Sequence, residues 1–231
     1  MSHKYRTVLV AGAVYAVVAV AYILTAGRGP ASGDWGDFVA AASVLGIPHP
    51  TGYATFTHLI ALPILLASRF AAPAAADITT ALVAAAAAPV LFALLIYRLY
   101  NDNGRDGTAL AAAAFTALFF AFRPAMWYEA SSTEVYGAGL TALGSVLLCL
   151  AAAERNGLRY WCLAAFLAGL TFGVHLTAFT YAVVAVGLTA FFLKPSFPVV
   201  AATTAACVLG VSTCLYIPLR AEAAPPLTWN W

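Results

Sequence analysis

The stretch ITTALVAAAAAPVLFALLIYRLY, residues 78–100, decides the fold class, because it is apolar on every side and carries one charge, at Arg98. An apolar helix of about 20 residues spans the roughly 30 Å hydrocarbon core of a bilayer. A strand of a membrane barrel would instead alternate apolar and polar residues over about ten positions. The run at 199–219, which has no charged residue, leads to the same conclusion. The sequence therefore predicts an all-α membrane protein.

Composition supports this prediction and excludes several kinds of partner. The chain has 231 residues, of which 63% are hydrophobic and 9% are charged, whereas about 25% of residues are charged in a soluble domain. A net charge of +2 without a basic cluster excludes nucleic acid as a partner. The four cysteines all lie in apolar runs, where they are expected to be small packing residues.

Charge distribution predicts how the chain is threaded through the membrane. Seven apolar runs are candidate spans, at residues 7–25, 78–99, 108–122, 136–153, 159–173, 176–193 and 197–219. The run 53–70 is also apolar, but Pro63 interrupts it. If that run lies along the surface, seven Lys and Arg residues fall on the cytoplasmic side and four on the other; if it crosses, the counts are five and six. The positive-inside rule favours the first arrangement, with a cytoplasmic N-terminus and an extracytoplasmic C-terminus.

In this topology the polar motifs all fall on the extracytoplasmic side, in the first loop (residues 26–77) and at the outer ends of later spans. Asp34 and Asp37 are three residues apart, so both would lie on one face of a short helix, near its positive N-terminal end. One of them could act as a general base, although helix capping by Asp34 is a simpler explanation.

Further polar side chains on the same side have both a functional and a simpler explanation. Glu129 and Glu134 border the membrane, where acids are costly and usually functional. Arginine recognises phosphate well, so Arg123 and Arg220 are candidate phosphate ligands, although each could be a membrane-surface anchor. His175, between two short spans, would face the same compartment or simply pack. These groups suit a reaction on a lipid-borne anionic substrate, and a transporter could use them as well.

Several segments together resemble one enzyme family. They read GDWGD (33–37), LGIPHPTGY (45–53), WYEA (127–130) with TEVY (133–136), GVHLT (173–177) and YIPLR (216–220). In this order they resemble the protein O-mannosyltransferase-like membrane proteins, formerly a domain of unknown function, which belong to the GT-C superfamily of glycosyltransferases. The resemblance covers nearly the whole chain.

The resemblance implies a fold and a site. It implies a single GT-C-like module over residues 1–231, with about seven spans and two interfacial helices in the first outer loop, at 34–45 and 53–70. It implies that Asp34 is the base and that Asp37 assists it or binds the acceptor. Asp37 stands where the family usually has glutamate, so the choice between the two acids stays open. The residues expected to bind substrate are His49, Tyr53, Arg123, Glu129, Glu134, Tyr136, His175 and Arg220.

The resemblance also implies an activity. A sugar would pass, with inversion, from a polyprenyl- or dolichyl-phosphate donor to a hydroxyl of a protein or envelope glycan, outside the cytoplasm. No cofactor is expected, although Asp34, Asp37, Glu129 and His49 could hold a divalent cation. An alternative is a non-enzymatic transporter or binding component for a lipid-linked precursor. The alanine-rich composition suggests a bacterial plasma membrane, and relatives usually continue beyond the point where this sequence stops.

Overall fold

The structure is a computed structural model that describes residues 3–27, 33–103 and 107–228, and all regular structure within these ranges is helical. The prediction of an all-α membrane protein is confirmed. The helices are α1 (His3–Thr25), α2 (Trp35–Ser43), α3 (Ala54–Leu66), α4 (Ala72–Ala85), α5 (Ala87–Asn103), α6 (Gly107–Ala121), α7 (Pro124–Ala130), α8 (Val135–Asn156), α9 (Leu158–Phe172), α10 (Leu176–Leu193), α11 (Phe197–Val211) and α12 (Tyr216–Glu222).

Five helical segments of the described chain are long and apolar enough to cross a membrane. They are Tyr5–Thr25, Ala72–Tyr97, Val135–Ala153, Leu176–Leu193 and Phe197–Glu222. A sixth candidate is α6 together with α7, which are bent by 64° at the break between them. Pro124 is the first residue of α7. The residue before a proline disfavours the α-helical conformation, so the helix is interrupted at this point. The protein is therefore an integral membrane protein.

The predicted spans and the observed helices differ at three places, of which one is the run 108–122, whose helix α6 has 15 residues and is a candidate span only together with α7. The run 159–173 forms α9, whose 15 residues would reach only about 22 Å, short of the roughly 30 Å apolar core. The span predicted to begin at 78 begins at Ala72, because α4 carries Pro73 at its first turn and contains Asp77. Proline fits the first turn of a helix, so residues 72–77, which the sequence analysis assigned to the first loop, begin this helix.

Small residues set the distances between the packed helices. The closest approach joins α9 to α11, where a β-carbon on Gly169 would lie 2.9 Å from the α-carbon of Gly210. A β-carbon on Gly137 would meet the side chain of Ala84, which brings α8 against α4. In a bilayer, helices associate through such close packing, because lipid is as apolar as the side chains it would replace.

The two short helices of the first loop, α2 and α3, have 9 and 13 residues and are each too short to cross a bilayer alone. Each buries one face in a common apolar cluster. Phe38 and Phe56 are almost fully buried and pack edge to face, with ring centroids 5.1 Å apart. Val135 of α8 and Val174, before α10, belong to the same cluster. The buried face of α2 therefore packs in this cluster, which fixes the position of the polar N-terminus of the helix.

One end of the bundle collects the connections that carry the polar motifs. The end of α1 meets the end of α7, where the Gly27 N–H donates to the Ser131 carbonyl at 2.9 Å. The start of α3 meets the end of α9, where the Phe56 N–H donates to the Gly173 carbonyl at 3.0 Å. Segments that are far apart in sequence thus share one surface.

Candidate functional site

Asp34 and Asp37 lie at the N-terminus of α2, as cap residue and first-turn residue. The side chain of Asp34 is 52% exposed, whereas that of Asp37 is 15% exposed. Both carboxylates lie at the end of the helix whose free N–H groups favour negative charge. The two acids therefore differ in their access to solvent.

His49 connects the two acids. Its backbone N–H donates to Asp37 Oδ2 at 2.8 Å, and its Nδ1 lies 2.6 Å from the same oxygen. Its Nε2 lies 3.4 Å from Asp34 Oδ2. A histidine ring held on one nitrogen has a fixed orientation at the other, so Asp37 orients His49 toward Asp34.

Tyr53 packs beside this group, with its ring 5.1 Å from His49 and 5.0 Å from Phe38. Burial, followed by the negative charge of Asp34, raises the pKa of the Tyr53 hydroxyl above its ordinary value. A phenol with a raised pKa remains protonated and stays a hydrogen-bond donor.

Glu134 caps the start of α8 and reaches back to α2. Its Oε1 accepts from the Asp34 N–H at 3.2 Å, although 100 residues separate the two. The residue is 7% exposed, and burial raises the pKa of its carboxyl to about 7. Gly33 makes this approach feasible, because its φ is +78° and a β-carbon there would lie 2.7 Å from Glu134 Oε1.

A polar cavity of about 210 Å³ lies between these segments. Beside Gly33, its lining side chains are Asp34, Tyr128, Glu129, Ser132, Glu134 and Tyr136. Three of them are carboxylates and three are hydroxyls, and none is cationic. Such a surface accepts hydrogen bonds from a polyhydroxylated ligand.

An apolar groove of about 190 Å³ adjoins this cavity, between α8 and α10. Tyr136 lines both, and its ring lies 5.2 Å from that of His175 at the head of the groove. Burial lowers the pKa of His175, and its Nδ1 accepts from the Ala178 N–H at 3.4 Å. A neutral ring with an accepting Nδ1 carries its proton on Nε2, where it can donate.

The two arginines expected to hold phosphate lie apart from the acids. Arg123 lies at the start of α7 and lines a separate, mostly apolar groove with Phe115 and Phe119. Arg220 binds the C-terminal end of α2, with Nε 2.6 Å from the Leu45 carbonyl. The structure therefore brings together the two aspartates, His49, Tyr53, both glutamates, Tyr136 and His175, and it leaves the arginines outside that group.

Sequence reasoning missed Asp77, which lies in α4 and is fully buried. Its Oδ1 accepts from Trp35 Nε1 at 2.8 Å and from Thr133 Oγ1 at 2.6 Å. The available signal was one acid within an otherwise apolar run, which is costly in a membrane unless it is paired. Tyr128 and Ser132, which also line the cavity, were missed as well.

In the described ranges, no group of three or more His, Cys, Asp or Glu side chains is arranged to hold a metal ion. The three acids and the histidine considered for a cation, Asp34, Asp37, Glu129 and His49, form no such group in this arrangement.

The profile of a family described as "Protein O-mannosyl-transferase TMEM260 N-terminal domain" matches residues 34–198. The chain belongs to this family. It is 32% identical over 124 residues to a Mus musculus protein named "Protein O-mannosyl-transferase TMEM260". The aligned part covers 54% of this chain and 16% of the mouse protein, so the chain corresponds to a small part of that relative's length. No solved structure matches the chain.

The TMEM260 N-terminal domain match begins at Asp34 and contains every lining residue of the polar cavity and the apolar groove except Gly33. Arg220 lies beyond it. The family resemblance and the geometry of the acids therefore concern the same part of the molecule.

Proposed function

We propose that this chain carries the catalytic face of a membrane glycosyltransferase that moves a sugar from a polyprenyl-phosphate donor to a hydroxyl acceptor. The observation that carries the proposal is the polar cavity that shares Tyr136 with an apolar groove. A lipid-linked sugar has the same two parts, a hydroxylated head and an apolar tail, joined by phosphate. The family's curated mouse relative, named as an O-mannosyltransferase, supports a hexose donor and a protein acceptor.

In this proposal Asp34 is the base. It lines the cavity and is half exposed, whereas Asp37 is held by two contacts to His49. Asp34 takes the proton of the acceptor hydroxyl while that oxygen attacks the anomeric carbon. The bond between that carbon and the phosphate oxygen breaks, and polyprenyl phosphate leaves with the electron pair. Attack opposite to the leaving group inverts the anomeric centre.

His175 would serve the departing phosphate. It lies at the head of the apolar groove, and its Nε2–H can donate to a phosphate oxygen. Glu129 and Glu134 would accept hydrogen bonds from the sugar hydroxyls in the cavity. This face of the protein would be extracytoplasmic, which the distribution of Lys and Arg residues supports. No cofactor is needed for these steps.

The test is sugar transfer from polyprenyl-phosphate mannose to a hydroxylated peptide, using the full-length protein in lipid nanodiscs. Asp34→Asn keeps the shape of the side chain and removes its basicity, so transfer is expected to fall at least about 100-fold. Glu222→Gln is the matched control, because Glu222 is an exposed acid outside the cavity. Full activity of Asp34→Asn would overturn the mechanism. Donor binding without any transfer by the wild-type protein would favour a binding component instead.

A further inference from the structure

The buried carboxylate of Asp77 joins two segments that are adjacent to cavity acids. Trp35, which donates to Asp77 Oδ1, directly follows Asp34, and Thr133, which donates to the same oxygen, directly precedes Glu134. The Asp34 N–H donates in turn to Glu134 Oε1. These hydrogen bonds and the chain between them form a closed loop of contacts through α2, α4 and the start of α8.

Asp77 is anchored on a rigid element. It lies in the second turn of α4, with Ala76 and Ala81 fully buried on either side of it. A carboxylate at such a place is costly unless donors satisfy it, and hydrogen bonds to a carboxylate are about twice as strong as neutral ones. The two donors are therefore held at a defined position relative to α4.

We infer that Asp77 is a positioning residue that sets the distance between Asp34 and Glu134, and with it the width of the polar cavity. It has no place in the cavity lining, so it acts through Trp35 and Thr133 and not on the substrate. The inference deepens the proposed function, on which its activity readout depends. Its structural part stands on the hydrogen bonds alone.

Three variants test it in the transfer assay. Asp77→Leu removes the acceptor, and a misplacement of about 1 Å in an active site lowers kcat by up to about 100-fold. We expect at least a tenfold loss in kcat with little change in KM for the donor. Asp77→Asn retains an oxygen that accepts both bonds, so we expect about a third or more of the wild-type rate. Thr80→Val is the matched control: Thr80 lies three residues along α4, is fully buried, and its hydroxyl has no hydrogen-bond partner among the described residues.

Removing the donors provides a second test of the same contacts. Trp35→Phe combined with Thr133→Val removes both hydrogen bonds and leaves Asp77 in place. If Asp77 acts through these donors, the double variant loses kcat about as much as Asp77→Leu does, and adding Asp77→Leu to it lowers kcat no further. Losses that multiply independently would overturn the inference, as would a wild-type rate in Asp77→Leu or an equal loss in Thr80→Val.

A spectroscopic readout separates this inference from the proposed function. The fluorescence emission of Trp35 is obtained by subtracting the spectrum of Trp35→Phe from that of the wild-type protein. Asp77→Leu should shift this emission, whereas Thr80→Val should not. If the shift is present but the wild-type protein transfers no sugar, the proposed function is wrong, while the conclusion that Asp77 positions Trp35 still holds. An unshifted spectrum overturns the positioning role itself.

Discussion

Asp34 and Asp37 are chemically identical and three residues apart, yet His49 gives them different surroundings. Asp37 accepts from both the backbone and the ring of His49, and Asp34 faces the cavity. The different roles proposed for Asp34 and Asp37 therefore follow from the loop of residues 45–53, which carries His49, and not from the acids themselves.

Replacing Asp37 should act through His49. Asp37→Asn weakens the charge-assisted contact to Nδ1, so His49 loses its fixed orientation toward Asp34. We expect transfer to fall about tenfold, less than in Asp34→Asn, because the base remains. His49→Gln should cause a similar loss, and Asp37→Asn should add nothing to it. Independent losses from the two changes in a double variant would contradict this coupling.

Glu134 should make stability depend on pH. Burial raises the pKa of its carboxyl from the ordinary 4.5 to about 7, so between these pH values the folded protein holds a proton that the unfolded chain releases. Stability is then full below about 4.5 and falls as pH rises through about 7. The melting temperature of the wild type relative to Glu134→Gln should fall on the order of 5 °C across this window. A constant difference between the two proteins would contradict the prediction.

At the scale of helices, α2 has partners at both ends. The acids and Glu134 lie at its N-terminus, while the carbonyls of Val44 and Leu45, just beyond its C-terminal residue, accept from Arg220 and Tyr216. The segment that precedes His49 is therefore tied to α12. A residue expected from sequence to meet phosphate is, in this structure, bound to the far end of the same helix.

Removing these contacts should loosen α2. Arg220→Gln removes donors from the carbonyls of Val44 and Leu45, and a hydrogen bond to a charged donor contributes about 1.5–3 kcal/mol when it is shielded from water and less at an exposed residue such as Val44. We expect a melting temperature lower by several degrees, measured by thermal shift in nanodiscs. Arg69→Gln changes an exposed arginine of the first loop and serves as the control. Equal melting temperatures for the two variants would show that the contacts to α2 contribute little.

The helices themselves could be predicted from sequence because lipid permits few alternatives to an apolar helix. Asp34 and Asp37 were identifiable for a similarly local reason, their spacing at a helix start. The contact between Asp34 and Glu134 was not, because it depends on Gly33 adopting a positive φ and on packing between segments 100 residues apart. Asp77 was missed because residues 26–77 were assigned to the first loop, and only the fold shows the two donors that bind its Oδ1.

At the scale of the whole molecule, the contact between Asp34 and Glu134 places the first loop and the start of α8 at the same membrane surface. Cysteines introduced at Gly36 and Tyr128, both exposed, should therefore react with an impermeant reagent from one side. A cysteine at Gly107, the first residue of α6, should react only from the other side. The four native cysteines are first replaced by alanine. Labelling of the first two positions from opposite sides would be incompatible with the fold.

Tyr136 lines both the polar cavity and the apolar groove. After the sugar has been transferred, the polyprenyl chain of the leaving lipid phosphate would therefore remain bound in the groove. Polyprenyl phosphate would then compete with fresh donor, and its escape into the surrounding bilayer would limit turnover. Product inhibition by the bare lipid phosphate, relieved when the lipid-to-protein ratio of the nanodisc is increased, is the kinetic behaviour that this shared tyrosine implies.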